Sequence, residues 1–253
     1  MNDIAAERLG NILSIQLDRP AKKNAMTSAM YIGLAELLDA AATDNQIRVV
    51  LWHAAGDSFS AGNDLDDFTN NPPGPGESPQ ARLIRTLINF EKPLVAAVQG
   101  AAIGGGTTML AHCDFVYAAE NAKFQLPFVN LGLVPEFGSS YLLPLRCGHL
   151  HAAELILLGY PFDASRAVNL GLVTQVVPEA QLLATATKTA WALAEKPAAA
   201  LQASKRLIKQ AFREPLEQAV KLENEEFAVR VRSDEAKAVI RAFFEKRRPA
   251  SAA

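Results

Sequence analysis

Cysteine, histidine and net charge are scarce in this sequence, and long apolar runs are missing. Two cysteines, Cys113 and Cys147, make up neither a disulfide framework nor a CxxC pair, which points to reduced thiols. The formal charge of −2 provides no global basic field, so neither nucleic acid nor an anionic membrane is expected as a partner. No apolar stretch is long and uninterrupted enough to span a bilayer. MNDIAAERLG at the start has no signal-peptide pattern, and PASAA at the end is neither a peroxisomal address nor a lipidation signal; a cytoplasmic location is expected from this. Among the histidines, His149 and His151 are two apart, so a helix would not face them together, and no third ligand accompanies them. No metal is expected. What is plentiful is apolar: 49% hydrophobic against 21% charged, the balance of a globular chain with a sizeable core.

Strand and helix signals alternate through the first half. NILSIQLD (11–18) alternates apolar and polar residues as a half-buried strand does. Thr27 can cap a helix running to about Ala42, with Met30, Leu34, Leu37 and Leu38 at helical spacing. IRVVLWHA (47–54), PLVAAVQG (93–100) and DFVYAAE (114–120) read as buried strands, and AKFQLP as a shorter extended piece. A helix ending near Phe90 follows NNPPGPGESP (70–79), the most loop-like stretch. Beyond about residue 149 the pattern is mostly helical, with Asp163 and Ser233 as N-caps, Pro197 and Pro215 as helix-start prolines, and Lys246-Arg247-Arg248 as a solvated helix end. This order predicts an α/β layer structure with a helical appendage, whose amphipathic faces suggest packing against another subunit.

GAAIGGGT (100–107) lies between a strand and a helix, where nucleotide motifs occur. The dinucleotide fingerprint fits Gly104 and Gly106 but then meets Met109, and the phosphate loop fits Gly100 and Gly105 but puts Gly106 where lysine is required. Two uses remain: close helix–strand packing, or bare N–H groups at a helix start that suit a developing oxyanion. FSAGNDLDDF (59–68) sits at the C-terminal end of a probable strand, where ligands of α/β sheets bind. Its Asp64, Asp66 and Asp67 do not match a calcium loop and read as caps and turn acids. No G-x-S-x-G elbow accompanies the serines. Glu136 is the single acid in LGLVPEFGSSYLLP (131–144). It reads either as a carboxylate at a helix start or as an acid–base group.

SFSAGNDL, PLVAAVQGAAIGGGTTMLAHCDFVYAAE and FQLPFVNLGLVPEFGSSYLLP together resemble the crotonase superfamily of enoyl-CoA hydratases and isomerases. LDRPAKKNAM and GYPFDASRAVNLGLVTQVVP extend the likeness to nearly the whole chain, with most similarity to the peroxisomal-type Δ3,Δ2-enoyl-CoA isomerase branch. The resemblance implies an α/β spiral of repeated ββα units over 1–195, holding the CoA-binding and catalytic site. It implies a helical region over 196–253 for oligomerisation and active-site cover, in a homotrimer or a dimer of trimers. The ligand it implies is an acyl-CoA thioester, with coenzyme A as part of the substrate and no separate cofactor. An oxyanion hole maps to the N–H groups of Asn63 and Gly105. Contacts to substrate or CoA map to Lys22, Ala25, Ala61, Asp64, Leu65, Gly104 and Phe128. The two hydratase glutamates fall on Thr108 and Phe128, neither of which can act as a carboxylate base. The isomerase-type acid falls on Glu136, which would carry a proton from C2 to C4 of a 3-enoyl-CoA while Leu126, Phe128 and Phe137 exclude water; the alternatives are another crotonase-type reaction, hydration or thioester hydrolysis with Glu136 placing water, and a non-catalytic acyl-CoA-binding protein. The Asn63 amide could tune the acyl pocket or bond to Glu136.

Overall fold

The alternating segment at 11–18 and the three apolar runs after it become neighbouring strands in the computed structural model, which describes residues 3–70 and 76–247. In chain order the elements are β1 (Ile4–Leu9), β2 (Ile12–Leu17), α1 (Ser28–Thr43), β3 (Val49–Ala54), α2 (Leu65–Asn70), α3 (Pro79–Asn89), β4 (Leu94–Val98), β5 (Ala101–Ile103), α4 (Gly105–Thr108), β6 (Phe115–Ala119) and β7 (Lys123–Gln125). They continue with α5 (Ser139–Ala153), β8 (Phe162–Asp163), α6 (Ala164–Asn169), β9 (Gln175–Val177), α7 (Leu182–Ala194), α8 (Ala198–Gln210), α9 (Arg213–Arg230) and α10 (Asp234–Arg247). The glycine- and proline-rich residues 71–75 and Arg248 lie outside the described residues.

The larger sheet runs β1-β2-β3-β4-β6-β9, parallel except for the antiparallel β1–β2 hairpin. A smaller sheet runs β5-β7-β8. After β4 and again after β6 the chain crosses from the larger sheet to the smaller one before entering a helix. This repeated ββα turn is the crotonase spiral. Central strands are apolar on both faces because both are covered: β4 is buried at every residue. One face packs on α1 and α3 through side chains such as Leu34, Leu38, Leu83 and Leu87; the other packs on Ala186, Ala190 and Ala194 of α7. Fully burying one such leucine contributes about 1.5–3 kcal/mol.

The caps fall where expected. Thr27 Oγ1 accepts from the Met30 N–H, Asp163 from Arg166, and Ser233 from Ala236. Strand β1 was not foreseen; only Ile4 is buried on it, so it lacks the apolar pattern of a strand. The three-residue β5 was read as part of the glycine turn. Helices α8–α10 fold back onto the core. Lys205 of α8 bonds Asp114 and the Lys92 carbonyl, α9 packs Leu216 and Val220 over Gly138, and α10 lays Ala236 over Gly132.

Candidate active site

Backbone pairing brings the 58–65 loop beside the glycine turn. Ser60 forms a parallel bridge with Ala102, and Asn63 one with Met26. In the second bridge Met26 bonds the residues either side of Asn63, donating to Gly62 O and accepting from Asp64 N. The Asn63 N–H therefore points away from that strand. Gly105 opens α4 behind Gly104, whose φ of +54° suits glycine. The start of α4 leaves the Gly105 N–H without an intrahelical acceptor. The two segments touch: a Cβ on Gly62 would lie 2.6 Å from the Ile103 carbonyl and 3.6 Å from the Gly105 nitrogen. Among the described residues no acceptor is bonded to either the Asn63 or the Gly105 N–H.

Glu136 arrives on the loop before α5 and is 2% exposed. Its Oε2 accepts from Gln80 Nε2 at 2.7 Å and from Asn63 Nδ2 at 3.2 Å. Tyr31 donates its hydroxyl to Asn63 Oδ1 at 2.5 Å, which orients the Asn63 amide with its nitrogen toward Glu136. Oε1 has no hydrogen-bond partner among the described residues. It lies beside Gly105, where a Cβ would come within 2.7 Å of it. One carboxylate oxygen is thus pinned and the other is free beside the bare helix start. Burial disfavours the charged form and raises the pKa to about 7, against the lowering effect of the Gln80 and Asn63 hydrogen bonds. Near neutral pH the group both accepts and releases a proton.

Part of the surroundings is apolar. Leu126, Phe128 and Phe137 are buried, and the Phe128 ring lies against Gly104. Thr108 is buried with its hydroxyl on the Gly104 carbonyl at 3.3 Å. A cavity of about 1510 Å³ opens beside the cluster, lined by Tyr31, Asn63 and Gln80 on one side and by Val220, Phe227 and Ile240 of α9 and α10 on another. Glu136 is not part of that lining; Asn63 and Gln80, which hold it, are.

Other candidate positions have structural partners. Asp64 bonds Arg19 and caps α2 through the N–H groups of Asp66 and Asp67. Ala61 N bonds the Lys23 carbonyl, and the Ala25 carbonyl takes an Arg19 N–H. Lys22 is exposed, 3.9 Å from Asp66, and Leu65 begins α2. Tyr31, Gln80, His112 and Glu223 were not foreseen at the site. They sit on distant elements, and no local motif marks them. Among the described residues no cluster of three or more His, Cys, Asp or Glu is placed to hold a metal ion, and no helix is long and apolar enough to cross a membrane.

Residues 7–251 match the family described as Enoyl-CoA hydratase/isomerase. The chain belongs to that family. It is a crotonase-type acyl-CoA enzyme. Enoyl-CoA delta isomerase 2 of Rattus norvegicus is 38% identical over 213 residues, 82% of this chain and 54% of the relative. The chain therefore spans about half the length of that relative. The 1,2-epoxyphenylacetyl-CoA isomerase of Escherichia coli is 35% identical over 245 residues, 94% of each protein. An enoyl-CoA hydratase/isomerase structure from Pseudoalteromonas atlantica superposes with a TM-score of 0.93 at 42% identity, covering 99% of this chain and 100% of the other. Within the family, relatives of this similarity bear names for different reactions.

Proposed function

We propose that the protein is a Δ3,Δ2-enoyl-CoA isomerase that uses Glu136 as its single acid and base. The observation that carries the reading is the unpartnered Oε1 of a buried glutamate beside Gly105. A thioester carbonyl on the Asn63 and Gly105 N–H groups would put its α-carbon near that oxygen. Oε1 removes a proton from C2, the electron pair moves into a dienolate whose oxygen rests on the two N–H donors, and Glu136 returns the proton to C4. Gln80 and Asn63 hold Oε2 so that the free oxygen can serve both carbons. Hydration would need an oriented water and a second acid–base group. By the resemblance, Thr108 and Phe128 stand where the hydratases have theirs, and the Thr108 hydroxyl is committed to a backbone carbonyl.

Coenzyme A enters as part of the substrate, and Lys22 and Ala25 on the first turn are its proposed contacts. Leu150, Leu157, Leu207 and Ile208 are largely exposed, which supports assembly of the chain as a homotrimer or a dimer of trimers.

The test is turnover of 3-enoyl-CoA and 2-enoyl-CoA by the wild type. Conversion of the first to the conjugated product without hydration of the second supports the reading; hydration of the second sinks it. The fuller overlap with the E. coli relative favours a second reading, isomerisation of 1,2-epoxyphenylacetyl-CoA. Turnover of that epoxide in preference to 3-enoyl-CoA would select it.

A further inference from the structure

The residue after Glu136 has a backbone conformation that its side chain disfavours. Phe137 has φ +60° and Gly138 φ +70°, so two consecutive residues turn left-handed where the chain enters α5. For phenylalanine this conformation is strained and persists only where the surroundings hold it. Two buried side chains do so. His112 Nε2 donates to the Phe137 carbonyl at 2.8 Å. A carbonyl only accepts, which fixes the proton on Nε2. Glu223 of α9 accepts from the Gly138 N–H at 2.7 Å and the Ser140 N–H at 2.8 Å. Gly138 is the N-cap of α5 and has no side chain with which to cap it. The cap comes instead from a carboxylate 85 residues along the chain. The seat is tight: a Cβ on Gly138 would meet Leu216 Cδ1 of α9 at 2.3 Å.

A serine or aspartate at an ordinary N-cap would satisfy the Ser140 N–H locally, but Gly138 is left-handed and has no room for a Cβ. A buried glutamate from another element is a costly replacement unless its position serves something else. We propose that Glu223, with His112, is a positioning residue for Glu136: together they hold the left-handed Phe137–Gly138 corner that aims the Glu136 carboxyl at Gly105. The inference rests on Glu136 being the reacting group. It also gives the C-terminal helices a part in the chemistry, since α9 carries one half of the clamp.

The groups packed around Glu136 and its corner are Tyr31 from α1, Asn63 before α2, Gln80 from α3, His112 after α4 and Glu223 from α9. Asn63 and Gln80 are neutral amides. Burial keeps the Tyr31 phenol protonated, its pKa well above the ordinary value, and holds His112 neutral with a pKa of about 3. Glu223, whose own pKa burial raises above the ordinary value, is the acid among them whose charged form opposes ionisation of Glu136. Glu223→Gln removes that charge while keeping the shape, so the titration of Glu136 moves to lower pH.

Isotope-edited infrared spectroscopy of the Glu136 carboxyl, assigned by difference from Glu136→Gln, reads this shift without requiring turnover. A downward move in Glu223→Gln supports the proximity that the clamp requires, and an unmoved titration overturns it, whether or not the isomerase reading survives its own assay; the positioning role is read from kcat. In an active enzyme Glu223→Gln should lower kcat about 10- to 100-fold, the range for a small misplacement of a reacting group, with KM unchanged. A wild-type kcat would reduce Glu223 to a helix cap and overturn the proposal. Should Glu223→Gln fail to fold, His112 decides. His112→Leu, which removes the donor, should lose kcat, and His112→Gln, which keeps an N–H, should recover part of it. Equal kcat in both variants overturns the clamp.

Discussion

Asp64 and Glu136 are both acids buried at the same site, yet their partners differ in kind. Asp64 is saturated: Oδ2 takes the Arg19 guanidinium at 2.6 Å, and Oδ1 takes the N–H groups of Asp66 and Asp67 at 3.0 and 3.1 Å. Burial opposes its charge, but the Arg19 hydrogen bond, the helix N–H donors and the Arg19 charge together outweigh it and hold its pKa below the ordinary value. Glu136 has neutral amides on one oxygen and no hydrogen bond on the other, and burial dominates. A saturated carboxylate builds structure. One kept short of partners, with its pKa near 7, is equipped to move protons.

Substitution at each acid should separate the two roles. Glu136→Gln should lower kcat by at least about 100-fold, the lower range for a lost acid–base group, while Asp64→Asn changes kcat far less; steady-state kinetics on 3-enoyl-CoA checks both. Stability should respond in the opposite sense. Because the folded pKa of Glu136 is raised, its burial cost is absent below the unfolded value of 4.5, grows as pH rises and is complete above about 7. Glu136→Gln should therefore be more stable than wild type at pH 8, by on the order of 3 kcal/mol at about 1.36 kcal/mol per pH unit, and the gain should vanish near pH 4 in denaturant titrations.

Asp64→Ala should destabilise by about 2 kcal/mol, combining a lost cap with an unpaired Arg19. The contribution of Asp64 is fully present above its unfolded pKa of 3.8 and is lost as pH falls through the depressed folded value, so wild type and variant should converge in acid. The smallest expected effect is at Gln80. Gln80→Leu removes the shorter hydrogen bond to Oε2, so the Glu136 pKa rises further and the acid limb of the pH–rate profile moves to higher pH. The accompanying loss in kcat should be about tenfold, near 1.4 kcal/mol.

The larger sheet was legible because its central strands are buried on both faces and read as apolar runs, such as PLVAAVQG. β1 was not, because an edge strand with one buried residue has no such pattern. Glu136 stood out as a lone acid in apolar company, while Asn63 and Gly105 were placed by the resemblance, because backbone chemistry leaves no side-chain mark in a sequence. Gln80 lies 56 residues before Glu136 and Glu223 83 residues after Ser140. Each is an ordinary polar residue on its own helix and acquires a role only when the fold packs that helix against the site.

The most direct test of a single acid–base group is to turn over 3-enoyl-CoA deuterated at C2 and locate the label by mass spectrometry and NMR. If Glu136 Oε1 carries the proton from C2 to C4 in a dry pocket, a measurable share of deuterium appears at C4 of the product, and Glu136→Gln abolishes the transfer with the turnover. Product whose C4 carries only solvent hydrogen at the earliest conversions, or label transfer that survives in Glu136→Gln, would contradict the account.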